Sequence, residues 1–458
     1  MRHLMLATSL FCIAAAPCAA GSPALNGVWQ SDGYGFVLQV EHASARLFGI
    51  GGEYCVPETS EWAPLDDLLP GADFRISGDG QRVTMGFPLE PHRIGAIRLP
   101  ALPAICGVDP SADPVSVFEA TVGAFEANYP FFDLYDVDWP ARVADARARL
   151  DPEMDERALF EHLTGLMRPI RDAHVALIAE IDGAWHSFSP NRAQVLQTLR
   201  SAALARGEDP KAAAAAFRQA LWYDSIGQDI LGGQGHMAGN GLIQYGMLTE
   251  GVGYLALARL GEFAPDGAGP WEDLAVTQSL MEEIFGFLAE REAEALILDL
   301  SLNAGGSDFI AREIARRFLH APGLAYTKYA ADARWPIETR VRIEPHPGAR
   351  FAGRVFVLTS QATVSAAEVL TLALRTQPHV SHVGESTRGA LSDAVSRRLP
   401  NGWQLHLSNE VYLDADGRHW EATGIPPERE IPVFLDADPV ASHRRAIRHI
   451  LREEGFAP

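Results

Sequence analysis

The chain is poor in lysine. Among its 38 lysine and arginine residues, only Lys211 and Lys328 are lysines. Few side chains could therefore serve as a neutral amine base, because arginine stays protonated in proteins. The net charge is −21, which disfavours binding to nucleic acid or to anionic lipid. Beyond the first residues no apolar run is long enough to span a bilayer, which takes about 20 residues.

The N-terminus has the layout of a secretory signal peptide. Arg2 and His3 precede the apolar run LMLATSLFCIAAA, and small residues follow up to Ala20. This order of charged, apolar and small residues is typical of export signals. It predicts a signal peptide over 1–20 and a periplasmic or secreted protein with no stable membrane span in its mature form. An uncleaved anchor is the alternative, and lipid attachment at Cys18 fits poorly with the preceding proline.

Cysteine is scarce as well. Two of the four cysteines lie in the predicted signal peptide, which leaves Cys55 and Cys106. An even pair in an exported chain predicts one disulfide. Two buried free thiols are the alternative.

The 458 residues suffice for two or three domains of roughly 100–200 residues each. Short alternating runs and frequent glycine predict a β-rich domain over 21–108. Helical spacing of apolar residues predicts a helical subdomain over 109–180 and a helical insertion over 181–240. The segment 241–458 is predicted to form the core.

Strand and helix patterns alternate within this core. The predicted strands are 295–300, 354–359 and 380–384, and the predicted helices are 307–318 and 365–376. Such alternation indicates a layered α/β fold.

Two strand–turn–helix segments of the core carry residues suited to acyl transfer. FVLTSQATVSAAEVL places Ser365 at the start of a helix, and ALILDLSLNAGGSDF places Gly305 and Gly306 in a turn. A serine nucleophile needs a base, and the developing oxyanion needs N–H donors. Ala366, at the helix start, and the two glycines are the candidate oxyanion donors.

These segments resemble the C-terminal processing peptidase and tricorn-core family of serine peptidases. LILDLSLNAGG is similar to its glycine-rich motif, TVSAAE to its nucleophile segment and GVGYLALARLGEF to one of its strands; GESTRGA and WEATGIPPE resemble later motifs. The resemblance covers about 110–458, although 181–240 has no recognisable PDZ pattern. It implies a ClpP/crotonase-type fold, a spiral of ββα units.

The same resemblance implies a peptidase that cleaves peptide or protein substrates. No cofactor is expected, and no metal site either, because HVSH at 379–382 and the pair His443 and His449 lack partner ligands at familiar spacing. The resemblance leaves homo-oligomer formation open.

The chain departs from the Ser–Lys branch of this family. Ala390 stands where that branch has its lysine, and Arg388 cannot replace a neutral amine. The Ser–His–Glu, tricorn-like branch fits better. RDAHVAL resembles its histidine segment and nominates His174 as general base, while WEATGIPPE nominates Glu421 as the carboxylate that orients it.

Each nomination has a structural alternative. Ser365 could serve only as a helix N-cap, and the glycine pair could only shape a turn. His174 could be a structural histidine, and Glu421 a partner in a surface salt bridge. Other core histidines compete for the role of base: His379, His382 and His406.

Two other functions stay open. The first is an inactive homologue that binds apolar ligands or peptides on the same fold. The second is acyl-CoA chemistry on an analogous fold, which a signal peptide disfavours because CoA is cytosolic.

Overall fold

The computed structural model describes residues 16–18, 22–59, 61–108, 110–434 and 437–456. Most of the predicted signal peptide lies outside these residues. Its Ala16–Cys18 segment forms a short strand that pairs with Asp73–Ile76. Among the described residues, no helix is both long and apolar enough to cross a membrane.

The N-terminal part is rich in β-structure, as its alternating runs predict. Its strands form one nine-stranded sheet in the order β1-β7-β8-β9-β2-β3-β4-β5, with β6 paired to β4. They are β1 (Ala16–Cys18), β2 (Gly27–Ser31), β3 (Phe36–Glu41), β4 (Ser44–Gly51), β5 (Tyr54–Pro57), β6 (Ala63–Pro64), β7 (Asp73–Ile76), β8 (Arg82–Gly86) and β9 (Arg93–Leu99). A short helix, α1 (Leu65–Leu68), follows β6.

A disulfide joins Cys55 to Cys106, with their Cα atoms 5.0 Å apart. This is the pairing that the sequence predicts. It attaches β5 to the segment that leads out of the sheet.

Helices follow the sheet, and aspartates cap most of them. Asp113, Asp138, Asp155 and Asp209 each accept a hydrogen bond from a backbone N–H in the first turn of the helix they precede, as N-cap residues do. The helices are α2 (Pro114–Asn128), α3 (Trp139–Ala148), α4 (Glu156–Met167), α5 (Gln194–Ala205) and α6 (Pro210–Gln219), and α6 continues into a π-helix (Ala220–Ile230).

A four-stranded sheet connects the helical part to the core. Its order is β11-β10-β21-β20. The strands are β10 (Ala176–Ile181), β11 (Ala184–Phe188), β20 (Ala394–Arg398) and β21 (Gln404–Ser408). Because β10 pairs with β21, the segment that follows α4 is held against a distant part of the chain.

The core contains a seven-stranded sheet whose central strands are parallel. Its order is β12-β13-β14-β15-β18-β19-β23, with parallel pairing from β14 to β23. The strands are β12 (His236–Ala238), β13 (Ile243–Thr249), β14 (Val252–Leu257), β15 (Ala295–Asp299), β18 (Arg354–Thr359), β19 (Val380–Gly384) and β23 (Arg429–Glu430). Strands β14, β15 and β18 are almost wholly buried, as expected for parallel strands covered on both faces.

Helices and a small sheet complete the core. The helices are α7 (Pro270–Glu290), α8 (Asp308–Arg316), α9 (Ala366–Leu374) and α10 (Pro439–Glu453), and the sheet consists of β16 (Gly323–Ala330), β17 (Thr339–Ile343) and β22 (Glu410–Asp414). The mixed α/β core with a β-rich N-terminal region agrees with the predicted fold class at that level.

Candidate active site

Ser365 lies in the turn between β18 and α9, and its backbone is strained. Its φ of 62° and ψ of −128° are unusual for a residue with a side chain. The turn is held by the Ser365 N–H, which donates to Ala390 O at 3.1 Å and to Glu368 Oε2 at 3.0 Å. The side chain is half-buried. A strained turn that raises a serine at the start of a helix is a common way to present a nucleophile.

Glu368 is the buried hub of this turn. Besides Ser365, it accepts hydrogen bonds from Thr387 Oγ1 at 2.6 Å, Gly389 N–H at 2.7 Å and Ala390 N–H at 3.0 Å. Burial raises the pKa of Glu368, and these donors act in the opposite direction. The carboxylate therefore clamps the start of α9 to the 387–390 segment.

The glycine-rich loop 303–306 packs directly against the serine. A Cβ added to Gly305 would lie 2.7 Å from Ser365 Cβ and 2.8 Å from Val364 O. A Cβ on Gly306 would lie 2.0 Å from Leu260 O. Their φ angles of 82° and 146° also favour glycine. Only glycine fits at both positions.

The three candidate oxyanion donors differ in their hydrogen bonds. Gly305 N–H donates to Asn303 Oδ1 at 2.9 Å, so it is already engaged. Among the described residues, the N–H groups of Gly306 and Ala366 have no hydrogen-bond acceptor. These two groups are therefore better suited to bind an oxyanion than Gly305 N–H.

Asn303 ties the glycine-rich loop to both neighbouring segments. Its buried side chain donates to Leu257 O at 2.8 Å, and its carbonyl accepts Val364 N–H at 3.2 Å. Sequence reasoning treated this asparagine only as part of a motif. The signal was its position two residues before Gly305, a spacing at which an asparagine side-chain oxygen often accepts a backbone N–H in a turn.

His174 lies two residues before β10 and is half-buried. Its backbone N–H donates to Asp172 Oδ1 at 2.8 Å. Its Nδ1 is buried and has no hydrogen-bond partner. Among the described residues, no hydrogen bond joins the imidazole to Ser365 or to Glu421.

Glu421 is buried, not part of a surface salt bridge. Its Oε2 accepts the N–H groups of Leu391 and Ser392, both at 2.9 Å, whereas its Oε1 has no partner. Burial first, and then the negative charge of Asp172, raise the pKa of Glu421 well above its usual range.

One short segment connects the nucleophile to Glu421. The N–H groups of Gly389 and Ala390 point to Glu368, and those of Leu391 and Ser392 point to Glu421. Ala390, at the position where a dyad lysine would stand, is fully buried. The segment therefore contributes backbone donors, and Ala390 has no side chain that could act as a base.

Three residues that were not selected from the sequence are Asp172, two positions before the predicted base, and two tyrosines that interact with it. Asp172 is fully buried and accepts a hydrogen bond from the Tyr129 hydroxyl at 3.1 Å. The hydroxyl of Tyr135 is buried without a partner. Burial and then the charge of Asp172 raise the pKa of both tyrosines above their usual range. The sequence signal for Asp172 was the spacing in RDAH, which suits an Asx turn.

The two lysines do not reach this site. Lys328 is buried, and its Nζ contacts Glu410 Oε2 at 2.9 Å and Tyr412 Oη at 2.9 Å. Burial alone would lower the pKa of Lys328, but the charge of Glu410 and other acidic neighbours raises it above the usual value. Lys211 is exposed near the start of α6. Lys328 therefore stays protonated and is unsuited to act as a base.

The competing histidines have other contacts. His382 is buried, and its Nε2 lies 2.7 Å from Thr359 Oγ1; burial and Arg375 lower its pKa to about 3. His379 stacks on His320, with ring centroids 3.8 Å apart. His406 lies across the strand pair from Ala176, and burial followed by the proximity of His174 lowers its pKa. Within the part of the chain that the structure describes, no cluster of three or more potential metal ligands occurs.

Comparison with known proteins supports the resemblance seen in the motifs. Residues 251–431 match the sequence profile of peptidase family S41. The carboxy-terminal processing protease CtpB of Bacillus subtilis (strain 168) is 26% identical over 195 residues, which are 41% of this chain and 36% of CtpB. The match thus spans about a third of that relative. The family predicted from the motifs is confirmed for this region.

Solved structures share the fold. A putative peptidase from Parabacteroides merdae ATCC 43184 superposes with a TM-score of 0.58 at 24% identity, over 75% of this chain and 97% of that one. Mature CPAF complexed with lactacystin gives a TM-score of 0.51 at 15% identity, over 76% of this chain and 98% of that one. At these identities the likeness supports the fold alone.

Proposed function

Because residues 251–431 match peptidase family S41, we propose that this chain is a serine-type peptidase with Ser365 as its nucleophile. The observation that carries the proposal is the strained Ser365 turn, packed against the Gly305–Gly306 loop inside the matched region. A simple N-cap would need neither the strain nor the close approach of a second loop.

The proposed reaction is acyl transfer to serine followed by hydrolysis. Ser365 Oγ attacks the scissile carbonyl carbon while its proton passes to the imidazole of His174. The imidazolium then gives this proton to the leaving amine as the peptide bond breaks. A water molecule, deprotonated by the same imidazole, hydrolyses the acyl-enzyme and restores Ser365. The N–H groups of Ala366 and Gly306 are the favoured donors to the oxyanion.

Glu421 is proposed to orient His174. The buried Nδ1 of His174 and the buried Oε1 of Glu421 both have no partner, and an N–H donor and a carboxylate oxygen are complementary. Catalytic hydrogen bonds are often long without substrate and tighten in the complex. The unpaired atoms therefore support a Ser–His–Glu site of the tricorn-like branch.

The proposal also covers the export of the protein and the fold of its core. The predicted signal peptide and the disulfide of Cys55 with Cys106 favour an exported peptidase that acts on peptides or proteins. The succession β13-β14-α7, β15-α8 and β18-α9 supports a ClpP/crotonase-type spiral for the core.

Ser365→Ala tests the proposal. We expect it to abolish peptide hydrolysis and labelling by a fluorophosphonate probe, because the other two hydroxyls of the 360–365 turn, on Ser360 and Thr363, are buried and donate to backbone carbonyls. Ser187→Ala, which changes an exposed serine on β11, is the matched control and should retain both activities. Unchanged turnover in Ser365→Ala would overturn the proposal. Absence of hydrolysis and labelling in the parent protein would favour a ligand-binding homologue.

A further inference from the structure

Asp172 is a buried carboxylate next to the proposed base. It is 0% exposed, its Oδ1 accepts the His174 N–H at 2.8 Å, and its Oδ2 accepts the Tyr129 hydroxyl at 3.1 Å. Among the described residues it forms no ion pair with an arginine or lysine. A carboxylate buried without a cationic partner is costly, and the two hydrogen bonds offset part of that cost.

The titratable groups around Asp172 include more acids than permanent cations. The titratable groups whose charges interact around it are Glu421, Glu368, Tyr129, Tyr135, Arg171, His174 and His406. Burial raises the pKa of Glu421 and of Glu368, Tyr129 and Tyr135 are neutral, and Arg171 is the permanent cation of this set. His174 is the group of this set that gains a positive charge during the proposed reaction.

Several buried polar atoms near Asp172 have no partner. They are Nδ1 of His174, Oε1 of Glu421 and the hydroxyl oxygen of Tyr135. Asp172 itself has both oxygens occupied, so its position is set before substrate binds. Its hydrogen bond to the His174 N–H fixes the turn that carries the imidazole.

We propose that Asp172 is a positioning residue of the catalytic site, which holds the His174 turn and whose negative charge stabilises the imidazolium that forms during acyl transfer. The proposal rests on the proposed function, because it needs His174 to accept the Ser365 proton. Glu421 and Asp172 then form a carboxylate pair. Burial and then the negative charge of Asp172 raise the pKa of Glu421, as expected for two acidic groups that lie close together.

Asp172→Asn tests the role of the charge, because it removes the negative charge of this side chain and keeps its shape. The amide oxygen can still accept the His174 N–H, and the Tyr129 hydroxyl can turn to accept from the new amide group. We expect kcat/KM to fall roughly tenfold to hundredfold, and the acidic limb of its pH profile to move to lower pH. The direction follows because loss of a nearby negative charge makes the imidazolium easier to deprotonate.

Two further variants complete the experiment. Asp182→Asn removes one exposed carboxylate from the β10–β11 turn and should leave both rate and profile unchanged. Tyr129→Phe keeps the Asp172 charge, so its acidic limb should not move to lower pH even if its rate falls.

The pH profile and the thermal midpoint decide the outcome. An unshifted profile in Asp172→Asn, with or without a lower Tm, would overturn the proposal and leave Asp172 a structural role. Fluorophosphonate labelling of Ser365 in the parent protein tests the proposed function separately. If the parent is neither labelled nor active, the proposed function fails. If it is labelled and active but the profile does not shift, only the role of Asp172 fails.

Discussion

The nucleophile half of the site and the base half differ in how completely their buried polar groups are paired. Around Ser365, both oxygens of Glu368 accept hydrogen bonds and the adjacent loop is tied by Asn303. Around His174, buried atoms of the imidazole, of Glu421 and of Tyr135 have no partner. Buried polar groups are normally paired. We infer that the nucleophile half is set in the free protein and the base half completes its hydrogen bonds when substrate binds.

Removing the Glu368 carboxylate should have the largest effect, because it disrupts the nucleophile half of the site. In Glu368→Gln the new amide NH₂ must face at least one backbone N–H, from Gly389 or from Ser365 and Ala390. We expect a loss of about 3 kcal/mol in unfolding free energy and loss of measurable peptidase activity. Chemical denaturation measures the first, and peptide hydrolysis the second.

Glu161→Gln is the control for this variant because Glu161 is exposed on α4, and it should behave like the parent. Parent-like stability in Glu368→Gln would mean that the nucleophile half does not depend on its hub.

A side chain on the glycine-rich loop should affect activity more than stability. In Gly305→Ala the new Cβ would meet Ser365 Cβ at 2.7 Å, so the serine and loop must separate. We expect kcat to fall by about a hundredfold or more, since oxyanion donors act only at short range, and stability to fall by about 1–2 kcal/mol. Steady-state kinetics and thermal unfolding check the two effects.

Gly286→Ala is a matched control, because Gly286 lies in α7 and a Cβ there meets nothing within 4 Å. It should retain activity and gain a little stability. Activity of Gly305→Ala close to that of the parent would show that the loop does not need to approach Ser365.

The two halves also differ in how much of them could be predicted. The nucleophile half follows from local signals: a buried strand, a turn, and Glu368 three residues after Ser365 in capping-box spacing. The base half depends on long-range contacts. Asp172 and Glu421 are distant in the chain, and the pairing of β10 with β21 determines where the His174 segment lies. No local pattern specifies such a register.

The elements of the fold also differ in how well they could be predicted from the sequence. The predicted strands 354–359 and 380–384 agree with β18 and β19, and the predicted helices 307–318 and 365–376 are slightly longer than α8 and α9. The four-stranded sheet could not be predicted, because β10 crosses the predicted boundary at 180–181 and pairs with β21, a distant strand of the core. Local propensity identifies elements, whereas tertiary pairing decides which distant elements meet.

Glu421→Gln, in the base half, should cause the smallest change in stability. The amide oxygen of the new glutamine can still accept the N–H groups of Leu391 and Ser392. The other carboxylate oxygen of Glu421, Oε1, has no hydrogen-bond partner, so replacing it with NH₂ removes no hydrogen bond. We therefore expect unfolding free energy near that of the parent, in contrast to Glu368→Gln. Activity should fall roughly a hundredfold because the carboxylate no longer orients the base.

The pH dependence of stability gives this variant a distinct signature. Burial and then the charge of Asp172 raise the pKa of Glu421 in the folded protein. The folded state therefore binds this proton more tightly than the unfolded state, where the glutamate pKa is about 4.3. In the parent, the stabilisation from this group is present below that value and is lost as pH rises through the raised pKa. Glu421→Gln has no such loss, so its stability relative to the parent should increase with pH in denaturation series between pH 5 and pH 9. If the difference in unfolding free energy between the two proteins stays constant with pH, folding does not raise the pKa of Glu421. The contrast between the partly paired Glu421 and the fully paired Glu368 would then fail.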